Sequence, residues 1–75
     1  MEKRLSEFRV GEKGRIKIIT CDNEIKRRMA DMGLVPGVEL ELKRIAPLGD
    51  PIEISLRGYN LAIRKYESSL ITMEV

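Results

Sequence analysis

Two kinds of sulfur side chain are the first candidates for chemistry in this sequence of 75 residues. Met29 and Met32 could act as soft metal ligands, but thioethers at helical spacing far more often fill gaps in a core. Cys21 stands just before the same segment, where the positive end of a helix can make a thiol reactive. The plainer interpretation of Cys21 is a small, half-buried residue. None of the three is therefore assigned as a ligand or nucleophile.

Carboxylates form the second set of candidates. They could bind a hard cation if they converged, and the set is Glu39, Glu41, Asp50 and Glu53. Alternate strand positions place Glu39 and Glu41 on one face, which is also what an ordinary exposed strand face looks like. No metal site is predicted from them.

The missing residue types exclude several kinds of site. Histidine is absent and Cys21 is the only cysteine, so one chain cannot supply an ordinary zinc site. Cysteine–histidine catalysis, a Ser-His-Asp triad and an internal disulfide are excluded for the same reason. We predict no catalytic residue, no cofactor and no enzymatic activity.

Two segments have the composition of a surface that binds another protein. A basic run, Lys26-Arg27-Arg28, could form a cationic helix face that meets an acidic partner, although such runs are usually just solvated. The segment Pro47–Pro51 could display Leu48 at the tip of a loop stiffened by prolines, which has less entropy to lose on binding. Alternatively, Leu48 folds back onto the body of the protein. The partner-binding candidates are Arg27, Arg28, Pro47, Leu48, Gly49 and Asp50.

A short helix is predicted to carry the basic run. Its apolar face is formed by residues at i, i+4 and i+7, which are Ile25, Met29 and Met32. Asp22 or Asn23 can cap the start by accepting an unpaired backbone N–H. Gly33 is predicted to end the helix in the left-handed conformation, with Leu34 folded back in a Schellman motif.

Alternation of apolar and polar residues predicts strands on both sides of this helix. The strands are Arg15–Thr20, Val38–Lys43, Ile52–Arg57, Leu61–Arg64 and Ile71–Val75. In the first strand Ile16 and Ile18 are predicted to point inward. A phase change near Lys43-Arg44 predicts a bulge.

Glycines mark the predicted turns between these elements. Gly11 and Gly14 are predicted to bracket one turn, and Pro36-Gly37 fits the centre of a type II turn. Gly58-Tyr59-Asn60 is predicted to connect a hairpin.

These elements predict a mainly β protein, with residues 1–75 forming a single domain. About five antiparallel strands would bend into a small barrel that leaves no exposed edge, with one short helix between the first two strands. Helical turns are expected near the two termini, at Leu5–Phe8 and Tyr66–Leu70.

Net charge and hydropathy limit the partners and the cellular location that the sequence predicts. The net charge of +2, from 14 basic and 12 acidic residues, is too mild for a dedicated DNA-binding domain. The N-terminal segment is charged, and no stretch approaches the roughly 20 apolar residues needed to cross a bilayer. The chain is therefore expected to be soluble and cytoplasmic, without membrane insertion.

Three ordered segments stand out, Arg27–Gly37, Ala46–Pro51 and Arg57–Arg64, which read RRMADMGLVPG, APLGDP and RGYNLAIR. In this order and spacing they resemble the FeoA family of ferrous-iron uptake proteins. The resemblance implies an SH3-like barrel and a non-enzymatic accessory role. The expected partner is the cytoplasmic GTP-binding region of a FeoB-type membrane transporter.

Two alternatives remain open. The same domain resembles the C-terminal SH3-like module of iron-dependent repressors, which suggests a regulatory module that binds a peptide or a metal-dependent repressor. A small nucleic-acid-binding barrel is less favoured and would use exposed cations, which are Lys26, Arg27, Arg28, Lys43, Arg44, Arg57, Arg64 and Lys65. A weak homo-oligomer formed by pairing of edge strands is a further expectation.

Overall fold

The computed structural model describes residues 1–75 and contains one antiparallel sheet of six strands. The strands are β1 Glu2–Arg4, β2 Lys13–Ile19, β3 Glu39–Ile45, β4 Ile52–Leu56, β5 Tyr59–Ile63 and β6 Ile71–Glu74. The helical elements are a 3₁₀ turn Leu5–Glu7, α1 Asn23–Asp31 and α2 Lys65–Ser68. The mainly β prediction is confirmed, with its helix after the first long strand and its helical turns near the termini.

The sheet has the strand order β1, β6, β2, β3, β4, β5, so β1 and β5 are its two edges. The prediction of a barrel without exposed edges was wrong on this point, because β1 and β5 do not pair with each other. Strand β1 was not predicted, since its residues are all charged and show no apolar alternation. It pairs with β6 through Lys3 and Met73.

Helix α1 begins and ends as its sequence predicts. The Asp22 carboxylate accepts the backbone N–H of Ile25 at 2.9 Å, which identifies the capping residue. At the other end, Leu34 N–H donates to the Met29 carbonyl at 2.9 Å and Gly33 N–H donates to the Ala30 carbonyl at 2.9 Å. This is a Schellman motif, and Gly33 has the positive φ of 92° that it requires.

Two bulges set the phase of the long strands. The bulge in β3 lies between Leu42 and Arg44, as predicted. A second bulge in β2 lies between Ile16 and Ile18 and was not predicted. It turns Ile18 outward, 51% exposed, and brings Ile19 into the core at 2%. The inward orientation predicted for Ile18 was therefore wrong.

Two predicted turns shift by a residue or more. Arg57, with φ 48°, and Gly58, with φ 86°, form the two-residue hairpin turn, and Tyr59 already pairs with Leu56. Gly14 lies inside β2 rather than in a turn. An added Cβ there would stand 2.9 Å from Val75 Cγ1, so close packing explains this glycine.

The core is a single cluster of 15 buried apolar residues drawn from every strand except β1. Leu5 and Phe8 bring the 3₁₀ turn and the residue after it onto this cluster, and Met29 joins it from α1. The helix is thereby held by its apolar face, and its opposite face is left in solvent.

Candidate docking surface

The predicted basic face of α1 is exposed. Lys26, Arg27 and Arg28 all lie in solvent, and none of them forms an ion pair. Their positive charge is not neutralised within the protein, which leaves it available to an acidic partner.

The loop from Ala46 to Pro51 is held at its base by backbone bonds. Ala46 N–H donates to the Pro51 carbonyl at 3.1 Å, and Gly49 N–H donates to the Ala46 carbonyl at 2.7 Å. Gly49 has a φ of 88°, and the Asp50–Pro51 peptide is cis. The sequence left two orientations open for Leu48, and the structure places it outward, 95% exposed.

Asp50 fastens this loop to the next element. Its carboxylate accepts the backbone N–H of Lys65 at 2.9 Å, at the start of α2. Its position is therefore explained by a structural contact, whereas Pro47 and Leu48 remain exposed on the loop.

The structure does not bring the loop and the C-terminal end of α1 together. Tyr59, at the Leu56 end of the β4–β5 hairpin, contacts the C-terminal end of α1. The loop enters the same hairpin at Ile52, which is at the opposite end. Four residue steps along a strand separate the two ends by roughly 13 Å. The loop and the C-terminal end of α1 therefore lie at opposite ends of this hairpin.

An apolar groove that the sequence did not reveal runs beside the basic face. It has a volume of about 240 Å³ and is lined by Ile18, Ile19, Lys26, Ala30, Leu34, Val35 and Pro36. Ile18 lies in this groove only because the β2 bulge turns it outward. The irregular position of Ile19 in the apolar alternation was the one sign of this bulge in the sequence.

Charged contacts concentrate near the N-terminal strand instead. Lys3 Nζ lies 2.7 Å from the Glu12 carboxylate, and this bond, with a second from the Arg9 N–H, lowers the pKa of Glu12. Glu2 pairs with Lys17 and raises the pKa of that ammonium. The terminal amine lies 3.0 Å from Glu74 and lowers the pKa of its carboxyl. These contacts fasten β1 to its neighbours.

The residues considered for metal chemistry are placed apart or buried. No three His, Cys, Asp or Glu side chains are close enough to share a metal ion. Met29 is fully buried in the core, and Met32 and Cys21 pack against that core as partly buried residues. No helix has the length and apolar character needed to cross a membrane.

Residues 3–75 match the model of the FeoA domain. The solution structure of a FeoA-like protein from Clostridium acetobutylicum is 38% identical and superposes with a TM-score of 0.90 over 99% of this chain and 86% of that one. A protein of Porphyromonas gingivalis named as a fusion of Fe(2+) transport protein A and Fe(2+) transporter FeoB is 29% identical over 72 residues. That match covers 96% of this chain and only 8% of the fusion protein.

More distant structures show the fold alone. FeoA of Stenotrophomonas maltophilia, described as a procaryotic SH3 domain protein, is 21% identical with a TM-score of 0.80 over 96% of this chain and 89% of that one. The repressor IdeR of T. acidophilum is 20% identical with a TM-score of 0.87, over 99% of this chain and 34% of that one. The SH3-like fold and the resemblance to both groups are confirmed. With a family match that covers nearly the whole sequence, the chain belongs to the FeoA domain family.

Proposed function

We propose that this chain is a non-enzymatic, cytoplasmic accessory protein of ferrous iron uptake that docks onto the GTP-binding region of a FeoB-type transporter. The observation that carries the proposal is the fusion of the two proteins in the Porphyromonas gingivalis relative. Joining two proteins in one polypeptide raises the effective concentration of each for the other. Such a fusion is expected where the two parts work in contact.

The apolar groove beside the basic face of α1 has the properties of a small interface. It offers apolar surface around Ile18 and Pro36, and Lys26 is one of its lining residues. Protein interfaces combine an apolar centre with charged residues at the rim, and the rim charges set the rate and orientation of encounter. We therefore assign the first contact with the transporter to this groove and to Arg27 and Arg28.

The Ala46–Pro51 loop supports a second, separate contact. Leu48 is fully displayed, while the loop beneath it is restrained by its backbone bonds and by Asp50. A restrained apolar tip loses little entropy when it enters a pocket on a partner. A partner as large as a GTPase domain can span both contacts.

The test is a titration of the isolated GTP-binding region of a FeoB-type transporter into the isotopically labelled full chain. Amide shifts at residues 18, 26–35, 46 and 48–50 are expected to change together. A matched titration with an unrelated small GTPase controls for non-specific charge attraction. The absence of shift changes at high micromolar concentration, with both proteins folded, would exclude direct contact with that region.

A further inference from the structure

Strand β5 differs from every other strand in its charge. Its residues, Tyr59 to Ile63, include no Asp, Glu, Lys or Arg, whereas each of the other five strands has at least one. It is nevertheless an edge of the sheet, and the opposite edge, β1, consists only of charged residues. Charged side chains on an edge strand prevent unwanted pairing, so β1 is protected and β5 is not.

The open side of β5 presents unpaired backbone groups. The hairpin turn at Arg57-Gly58 closes on the pair Leu56 and Tyr59, so alternate residues of β5 direct their N–H and C=O toward β4. The residues between them, Asn60 and Ala62, direct theirs away, and no hydrogen bond outside the sheet uses these groups. We call these four outward backbone groups the β5 edge.

A hollow lies directly beside the β5 edge. It has a volume of about 300 Å³ and is lined by Arg44, Ala46, Pro51, Ile52, Glu53 and Ala62. Ala62 pairs with Glu53, and its short side chain leaves this space open. Added strands bind through main-chain bonds and gain specificity from pockets for alternate side chains, and this hollow is such a pocket.

The charges at the two ends of β5 select the occupant. Arg57 precedes the strand, Arg64 and Lys65 follow it, and none of these three side chains forms an ion pair. The nearby carboxylates of Asp50 and Glu67 are bound by the backbone N–H groups of Lys65 and Arg64, not by their side chains. If two copies paired antiparallel along the whole strand, Arg57 of one would face Lys65 of the other. Like charges that face each other across strands are destabilising, whereas opposite charges attract.

The geometry points to the β5 edge as a docking site for an extended segment of another protein, with an uncharged centre and acidic residues at both ends. The segment adds a seventh strand to the sheet, and one of its side chains enters the hollow beside Ala62. Its carboxylates face Arg57 at one end and Arg64 and Lys65 at the other. This inference stands apart from the proposed contact through α1, because it uses a different surface and does not depend on which protein supplies the segment.

The test uses the isotopically labelled full chain and two synthetic peptides. Both have the centre Thr-Val-Thr-Val-Thr, flanked on each side by two glutamates in one peptide and by two lysines in the other. The acidic peptide should slow amide exchange at Asn60 and Ala62 and bind about tenfold more tightly, as several favourable cross-strand charge pairs replace repulsive ones. Equal binding of the two peptides, or binding of neither, would overturn the inference.

Two substitutions of Ala62 distinguish a loss of strand pairing with the peptide from a loss of folding. Ala62→Pro removes an outward N–H, which an edge strand tolerates, and should abolish binding of the acidic peptide. Ala62→Ser retains the N–H and should leave binding unchanged. Amide spectra check that both variants fold, and Asn60→Pro repeats the test if Ala62→Pro does not. If the Ala62→Pro variant still binds the acidic peptide, the β5 edge is not the docking site. If the free parent chain self-associates and Ala62→Pro abolishes that self-association, the edge pairs copies of this chain instead.

Discussion

The hydroxyl of Tyr59 donates a hydrogen bond of 2.6 Å to the carbonyl oxygen of Met32, which is the C-cap of α1. The carbonyls at a helix end lack partners within the helix, so this bond satisfies one of them. It also fastens the helix to the first residue of β5. Gly33 lies directly beneath the same hydroxyl, and a Cβ added there would stand 2.5 Å from it.

This arrangement predicts a measurable coupling between Tyr59 and Gly33. Tyr59→Phe removes one hydrogen bond and should reduce the free energy of unfolding by about 1 kcal/mol. Gly33→Ala should cost about 1–2 kcal/mol for its left-handed backbone, and more because of the clash with the hydroxyl. In the Tyr59→Phe background the clash disappears, so the double variant should be more stable than the sum of the single changes implies. Urea unfolding of the four proteins measures this coupling, and strict additivity would contradict the contact.

The N-cap of α1 gives a second prediction, with a matched control at the neighbouring residue. The Asp22 carboxylate caps α1, whereas Asn23 is the first helical residue and its side chain makes no cap bond. Asp22→Ala should therefore reduce the free energy of unfolding by about 1 kcal/mol, and Asn23→Ala should change it by less than about 0.5 kcal/mol. Chemical denaturation at neutral pH measures the free energy of unfolding of both variants. An equal or larger loss for Asn23→Ala would contradict the assignment of the cap to Asp22.

The ends of α1 and the turn that follows it were predictable because their chemistry is local. The Schellman bond joins Leu34 to Met29, and the Pro36-Gly37 turn is closed by Val38 N–H donating to the Val35 carbonyl at 3.2 Å. Each of these partners lies within five positions along the chain. Capping residues, glycine and proline act over that distance, so residue identities alone indicate the structure.

Contacts between distant residues were not predictable in the same way. Tyr59 and Met32 are 27 positions apart, and nothing in either local pattern links them. Strand β1 forms because β6 offers it a pairing edge, and Ile18 turns outward because β2 bulges against the same strand. The resemblance to a family supplied the fold, but the groove beside α1 and the open edge at β5 follow from these long-range pairings.

Acid should weaken the contact between β1 and the loop before β2. The pKa of Glu12 is lowered in the folded protein, chiefly by the bond from Lys3, so its carboxylate stabilises the fold above the pKa it has when unfolded. This stabilisation is lost as the pH falls through the lowered pKa. Glu12→Gln should therefore unfold at lower urea than the parent at neutral pH, and the difference should shrink in strong acid. Glu39→Gln, at an exposed carboxylate without an ion pair, is the control for the loss of one negative charge.

A substitution of Leu48 is expected to affect binding of the partner without affecting the stability of the fold. Because its side chain is 95% exposed, Leu48→Ser should alter the free energy of unfolding by less than about 0.5 kcal/mol. If Leu48 enters a pocket on the transporter, the same change should weaken binding of the GTP-binding region by about tenfold, the cost of losing one buried apolar side chain. Val10→Ser, at another exposed apolar residue, is the matched control for binding. A Leu48 variant that binds as well as the parent would remove the loop from the interface.

Charge reversal on α1 tests the remaining contact. Arg27→Glu combined with Arg28→Glu should cost only a fraction of a kcal/mol in stability, since both side chains are exposed and unpaired and only Arg28 interacts with the C-terminal end of the helix dipole. Binding of the GTP-binding region should fall about tenfold to a hundredfold, and its dependence on salt should flatten. Arg4→Glu with Arg9→Glu changes the net charge equally, but near the N-terminus and outside α1, and should leave binding much closer to the parent value. If both double variants lose affinity alike, overall charge rather than the α1 surface governs the attraction.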